Sequence, residues 1–116
     1  RRDKANESEA MNVIGNVKGK QCIIADDIVD TGGTLVKAAD ALLKNGAEEV
    51  QAYITHGVLS NGGMKTINES SMGGLTITDS IPQYDNKKIK VLSVSKLFAE
   101  AIRRVHHDES ISVLFE

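Results

Sequence analysis

Hydrophobic and polar positions fall into blocks along this chain. Gln21 to Asp26 carries the run Cys22-Ile23-Ile24-Ala25, short and rich in β-branched residues, which predicts a strand covered on both faces and ending at two adjacent acids. Thr34 to Asn45 places Leu35, Ala38, Ala39, Leu42 and Leu43 at helical spacing, with Gly46 as a C-terminal stop. Glu49 to Thr55 reads as a second strand, followed by a Gly-rich passage from His56 to Gly63 and a short helix near Met64 to Glu69. Leu75 to Thr78 and Ile89 to Val94 read as two further strands. Leu97, Ala101, Ile102 and Val105 mark a helix facing the sheet, and the alternation of Ile111, Val113 and Phe115 predicts an edge strand or docking tail. Strands alternating with helices build an open parallel sheet, with ligand sites expected beyond the carboxyl ends of the strands.

That order begins in a loop, without an initial strand and helix, so the α/β fold is expected to be incomplete at its N-terminus. At 116 residues the chain holds one domain at most. Its 14 basic and 16 acidic side chains give a formal charge of -2, and with only 3% aromatic residues it lacks the basic field and stacking rings of a nucleic-acid binder. Without an apolar run near the roughly 18 residues of a membrane span or a signal peptide, a cytoplasmic location and no membrane partner are expected. The lone Cys22 excludes an internal disulfide framework and a Cys-rich zinc site, and reads as a small buried hydrophobe.

The chemistry concentrates in Asp26-Asp27-Ile28-Val29-Asp30-Thr31-Gly32-Gly33-Thr34. A strand delivers acids to the sheet edge and Thr-Gly-Gly-Thr opens a helix, whose first amides lack helical partners and whose dipole adds partial positive charge. Such an opening holds a phosphate without a lysine, while Gly32 and Gly33 let the backbone approach it and the Thr31 and Thr34 hydroxyls donate to it. Neither a Walker loop nor a dinucleotide fingerprint is present. Simple helix capping accounts for Thr-Gly-Gly-Thr but leaves the clustered Asp26, Asp27 and Asp30 unexplained, since they repel unless a polyol or cation engages them. Carboxylates beside a phosphate cradle suit vicinal sugar hydroxyls, so the composite ligand is a sugar phosphate.

This segment resembles the phosphoribosyl-binding motif shared by type I phosphoribosyltransferases and ribose-phosphate pyrophosphokinases. The flanks, among them Leu35-Val36-Lys37-Ala38-Ala39, Thr55-His56-Gly57, Leu97 to Arg104 and Glu109 to Phe115, resemble the pyrophosphokinase family, over roughly the C-terminal third of that enzyme. The resemblance implies a type I phosphoribosyltransferase-like parallel sheet flanked by helices. It divides the chain into the end of a catalytic flexible loop with its lead-in (1–20) and a partial C-terminal phosphoribosyltransferase-like domain (21–116). It implies transfer of the diphosphoryl group of MgATP to the anomeric hydroxyl of ribose 5-phosphate, giving phosphoribosyl pyrophosphate and AMP.

On this resemblance Asp30, Thr31, Gly32, Gly33 and Thr34 hold the 5-phosphate and Asp26 the ribose hydroxyls, with Asp27 assisting there or through a second metal ion. Arg1-Arg2 matches the end of a Lys-Arg-Arg run, which makes Arg2 a catalytic and substrate contact; a solvated basic terminus is the plain alternative. The ligands for Mg2+ and the ATP-binding elements are expected upstream, so these residues alone are expected to be catalytically inert. Ser110, Ser112 and Phe115 match a tail lining an interfacial regulatory site for ADP or inorganic phosphate, against simple edge packing, and the parent enzyme is expected to be a homo-oligomer. His56 either borders a pocket or, as the ordinary explanation, serves as a polar turn residue. His106-His107 favours a helix C-terminus over a metal site, and Arg103-Arg104 reads by composition as a solvated face, while the resemblance places their helix in a region of subunit contact. A type I phosphoribosyltransferase and a non-catalytic subunit associated with the synthetase remain the competing readings.

Overall fold

The computed structural model describes residues 12–116. Arg2 and the first part of the expected lead-in lie outside the described residues. Four parallel strands pair in chain order, β1 (Gln21–Val29), β2 (Glu49–Gly57), β3 (Gly74–Thr78) and β4 (Ile89–Leu92). Helix α1 (Gly33–Lys44) links β1 to β2 and the short α2 (Gly63–Asn68) links β2 to β3; α3 (Ser95–His106) and a 3-10 turn, Ser112–Phe115, follow β4. The α/β parallel sheet with flanking helices is therefore as expected.

The core lies on one face of this sheet. Val50, Ala52 and Ile54 of β2, Leu75 and Ile77 of β3, and Ile89 of β4 alternate toward Leu35 and Ala39 of α1 and Ile67 of α2. Because α1 and α2 occupy the same side, no described helix covers the other face, and Tyr53, Leu92 and Ile23 are exposed there. This corrects the expectation of a β1 covered on both faces: Ile23 is 66% exposed, and Cys22 and Ile24 are only partly buried against the core. A short apolar run does not distinguish a strand sandwiched between helices from one whose second cover is missing. The α1 stop is where the sequence places it, with Gly46 at φ 98 and the Ala47 amide donating to the Leu42 carbonyl at 3.1 Å.

Three further expectations are corrected. The strand expected to end at the two acids does not: Asp26 and Asp27 lie within β1, which runs on to Val29. Helix α3 does not face the sheet: none of its residues is buried, and Leu97, Ile102 and Val105 are exposed. Its strong amphipathic pattern has no partner among the described residues, which explains why periodicity pointed to a sheet contact that is not made. The alternation at 111–115 is a 3-10 turn instead of an edge strand, closed by the Leu114 amide on the Ile111 carbonyl at 3.0 Å.

Polar clamps hold α3 at both ends. At its start, the Val94 amide donates to Asp79 Oδ1 at 2.9 Å. Toward its end, Glu100 accepts from Arg103 and Arg104 at 2.7 Å each, and Arg104 Nη1 donates to the Ser110 carbonyl at 3.1 Å. The backbone amide of Val94 and the Ser93 hydroxyl hold the Asp79 carboxyl below its ordinary 3.8. Hydrogen bonds from Arg103 and Arg104 pull Glu100 from 4.5 down to about 2. Both values are depressed in the folded state, so the stabilisation is complete above the unfolded values and is lost as pH falls through the folded ones. On acidification from about pH 4.5 toward 2, amide protection of α3 and the terminal turn should be lost before that of β2 and β3, and added salt should weaken the Glu100 clamp. Hydrogen exchange followed by NMR checks this, and full protection of α3 at pH 2 would refute it.

Candidate functional site

The carboxyl end of β1, the following turn and the start of α1 enclose a cavity of about 260 Å³. Ile24, Asp26 and Ile28 line it from alternate positions of β1, so one strand face delivers two isoleucines and a carboxylate together. Ile54 of β2, in register with Asp26, closes the floor, and Leu35 and Ala38 of α1 form the facing wall. Asp30, Thr31, Gly32 and Thr34 complete the rim. The cavity thus has an apolar floor and a polar mouth, the usual division between contact area and orientation in small-molecule sites.

Gly32 is the N-cap of α1 and sits at φ 89, a left-handed conformation that costs an L side chain energy. It is also buried against α2: a Cβ placed there would meet Ile67 Cδ1 at 3.2 Å. Gly33 differs. Its φ is not in the left-handed region, and the nearest atom to a Cβ would be Thr31 Oγ1 at 4.0 Å. Only Gly32 is therefore demanded by the backbone.

The first helical hydrogen bond runs from the Val36 amide to the Gly32 carbonyl at 2.9 Å, and no side chain caps the helix. The amides of Gly33, Thr34 and Leu35 precede that bond and have no partner within the helix. They form a small positive field at the end of α1, beside the Asp26 and Asp30 carboxylates. Among the described residues, no group of three or more His, Cys, Asp or Glu side chains could hold a metal ion.

Of the site residues expected from sequence, the cavity brings together Asp26, Asp30, Thr31, Gly32 and Thr34. Asp27 does not line it, because consecutive strand residues point to opposite faces; its amide donates to Asp26 Oδ1 at 2.8 Å. Ser110, Ser112 and Phe115 lie after α3; the two hydroxyls bond each other at 2.8 Å and Phe115 is 81% exposed. His56 is a strand residue rather than the turn residue expected, in register with Ile28, and its Nδ1 lies 2.7 Å from Ser80 Oγ. Sequence reasoning missed Ile24, Ile28 and Ile54 as the floor, although the alternation of Ile24, Asp26 and Ile28 carries the signal once β1 is known to extend. It also missed Ser60, whose hydroxyl donates to Asp30 Oδ1.

No helix among the described residues is long and apolar enough to cross a membrane. Several known proteins are similar to this chain. The ribose-phosphate pyrophosphokinase of Rhizobium meliloti (strain 1021) is 53% identical over all of this chain and 39% of its own length. That of Caldanaerobacter subterraneus subsp. tengcongensis is 54% identical over 99% of this chain and 37% of its own length. The chain thus spans about two fifths of the length of the curated relatives it matches. Among solved structures, the phosphoribosylpyrophosphate synthetase from Mycobacterium smegmatis superposes with a TM-score of 0.77 and 38% identity, covering 82% of this chain and 33% of that one. The family model described as phosphoribosyl synthetase-associated domain matches residues 2–116, and the chain belongs to that family.

Proposed function

We propose that this chain supplies the ribose 5-phosphate site of a cytoplasmic ribose-phosphate pyrophosphokinase, a transferase that moves the diphosphoryl group of MgATP to the anomeric hydroxyl and releases AMP. The observation that carries the reading is the uncapped N-terminus of α1, where unpaired amides behind a left-handed Gly32 open on the cavity that Asp26 shares. The 5-phosphate sits on the amides and hydroxyls of Thr31 to Thr34, with Asp30 at the edge of the same turn. The Asp26 carboxylate accepts from the ribose hydroxyls, and Asp27 has a subsidiary role from the strand's other face.

In the transfer, the anomeric oxygen bonds to the β-phosphorus as the bond to the bridging oxygen of AMP breaks, and the hydroxyl proton passes to water. Holding the sugar still while charge moves between phosphates is the work asked of these residues. Magnesium and ATP are assigned to elements of the parent enzyme upstream of this chain, and Arg2, outside the described residues, is assigned a contact with the reacting groups. Ser110, Ser112 and Phe115 form part of a site where ADP or inorganic phosphate regulates a homo-oligomer; the exposed stripe of α3 beside them supports burial against another subunit.

Titration of the 15N-labelled chain with ribose 5-phosphate should move the Gly32 and Gly33 amides at millimolar ligand, and ribose alone should move them far less. Amides that do not respond would overturn the reading. The same 116-residue polypeptide should form no phosphoribosyl pyrophosphate from ATP, and measurable synthesis by it would refute the assignment of the ATP and magnesium elements to other residues.

A further inference from the structure

The passage after β2 packs directly on the turn before α1, in a conformation that the chain does not adopt without cause. Leu59, Asn61 and Gly62 sit at φ 53, 50 and 77, two of them residues with side chains in the left-handed region. A leucine disfavours that region, so the surroundings must hold Leu59 in place. Three contacts do so. The Val58 and Leu59 amides both donate to the Val29 carbonyl, at 2.9 and 3.3 Å. Leu59 is buried in the core. Gly63 lies so close to the turn that a Cβ on it would meet the Asp30 carbonyl oxygen at 2.9 Å.

The result of this arrangement is the placement of Ser60. Its hydroxyl donates to Asp30 Oδ1, across thirty positions of sequence. Asp30 is the residue next to Thr31 and Gly32, so the orientation of its carboxylate bears on the whole turn. It also carries negative charge at the mouth of a site read above as taking a phosphate, where a freely rotating carboxylate would repel the ligand. A hydroxyl that donates to one carboxylate oxygen restricts that rotation and disperses the charge.

We infer that Ser60 is a positioning residue: held by the strained 58–63 passage, it fixes the Asp30 carboxylate by a hydrogen bond and thereby sets the Asp30 to Gly33 turn for the phosphate of its ligand. The inference rests on the ribose 5-phosphate reading but adds a residue and a brace to it.

The test uses the labelled chain as Ser60→Ala and Ser60→Thr, the second of which keeps a hydroxyl. Ser60→Ala should weaken ribose 5-phosphate binding, read at the Gly32 and Gly33 amides, by about tenfold. Ser60→Thr should stay within about twofold of the parent, with melting temperatures close in all three. Equal affinity in Ser60→Ala and the parent overturns the brace. If the parent itself does not respond to the sugar phosphate, the functional reading fails and the brace is judged on ligand-free spectra. Displacement of the Thr31 and Gly32 amides in Ser60→Ala but not in Ser60→Thr then supports it, and unmoved amides in Ser60→Ala overturn it. Should Ser60→Ala not fold, Ser60→Gly removes the same hydroxyl and leaves the Asp30 charge in place, and unchanged affinity with unmoved Thr31 and Gly32 amides in that variant is equally fatal.

Discussion

Replacing Ile67 by alanine is expected to destabilise the fold by about 2–5 kcal/mol. Ile67 lies on α2 with no exposed surface, between the core and the underside of Gly32. Removing three of its carbons forfeits their transfer energy and leaves a gap that surrounding atoms fill only in part, because α2 spans six residues and is tied to both neighbouring loops. A domain of this size is stable by only about 5–15 kcal/mol, so the change is a large fraction of the total. Urea unfolding followed by circular dichroism should show a lower midpoint with an unchanged slope. A loss below about 1 kcal/mol would mean that the site collapses freely and that α2 does not support the turn above it.

Gly32→Ala should have the second largest effect, on stability and on ligand binding together. The left-handed φ of 89 costs alanine about 1–2 kcal/mol, and the Cβ would also press on Ile67 Cδ1 from 3.2 Å. The turn can escape by rotating out of the left-handed region, which takes the α1 amides away from the cavity; binding of ribose 5-phosphate should then fall by tenfold or more. Pairing the change with Ile67→Val, which removes Cδ1, should recover part of the stability loss but little of the binding, since the φ penalty remains. Full additivity of the two substitutions would show that the contact contributes nothing. Gly33→Ala makes the useful contrast. Its position has ordinary helical φ and open space around a Cβ, so the fold should tolerate it, and any loss of binding would report close approach of the ligand to that backbone.

The binding proposal and the stability of the turn are therefore linked through one contact, Gly32 on Ile67. Nothing in the local sequence of either residue announces it. The phosphate reading of the motif from Asp26 to Thr34 comes from acids, glycines and hydroxyls gathered at a strand-to-helix junction, a combination suited to an anion beside a polyol. That motif does not say which glycine is structurally required, which acid faces inward, or what lies beneath the turn. Asp26 and Asp27 are equivalent by composition and are separated only by the pleat of β1. Ser60 stands thirty positions from Asp30, and the passage that carries it is held by contacts remote in sequence, Leu59 in the core and Gly63 against the Asp30 carbonyl.

Local physics determined much of this molecule from the sequence by itself. The four strands, α1 with its Gly46 stop, the short α2, and the glycine-led opening of α1 are all written in hydrophobic period and backbone preference, which act over a few residues. Tertiary structure alone decided the rest. Among the described residues it set both crossover helices on one face, leaving Ile23 and Tyr53 exposed, and gave α3 no sheet to cover; it folded the terminal alternation into a turn held by Arg104; and it brought Ser60 to Asp30. The reason is that period reveals which residues seek burial but not what will bury them, since the covering surface is supplied by parts of the chain whose distance no local pattern records.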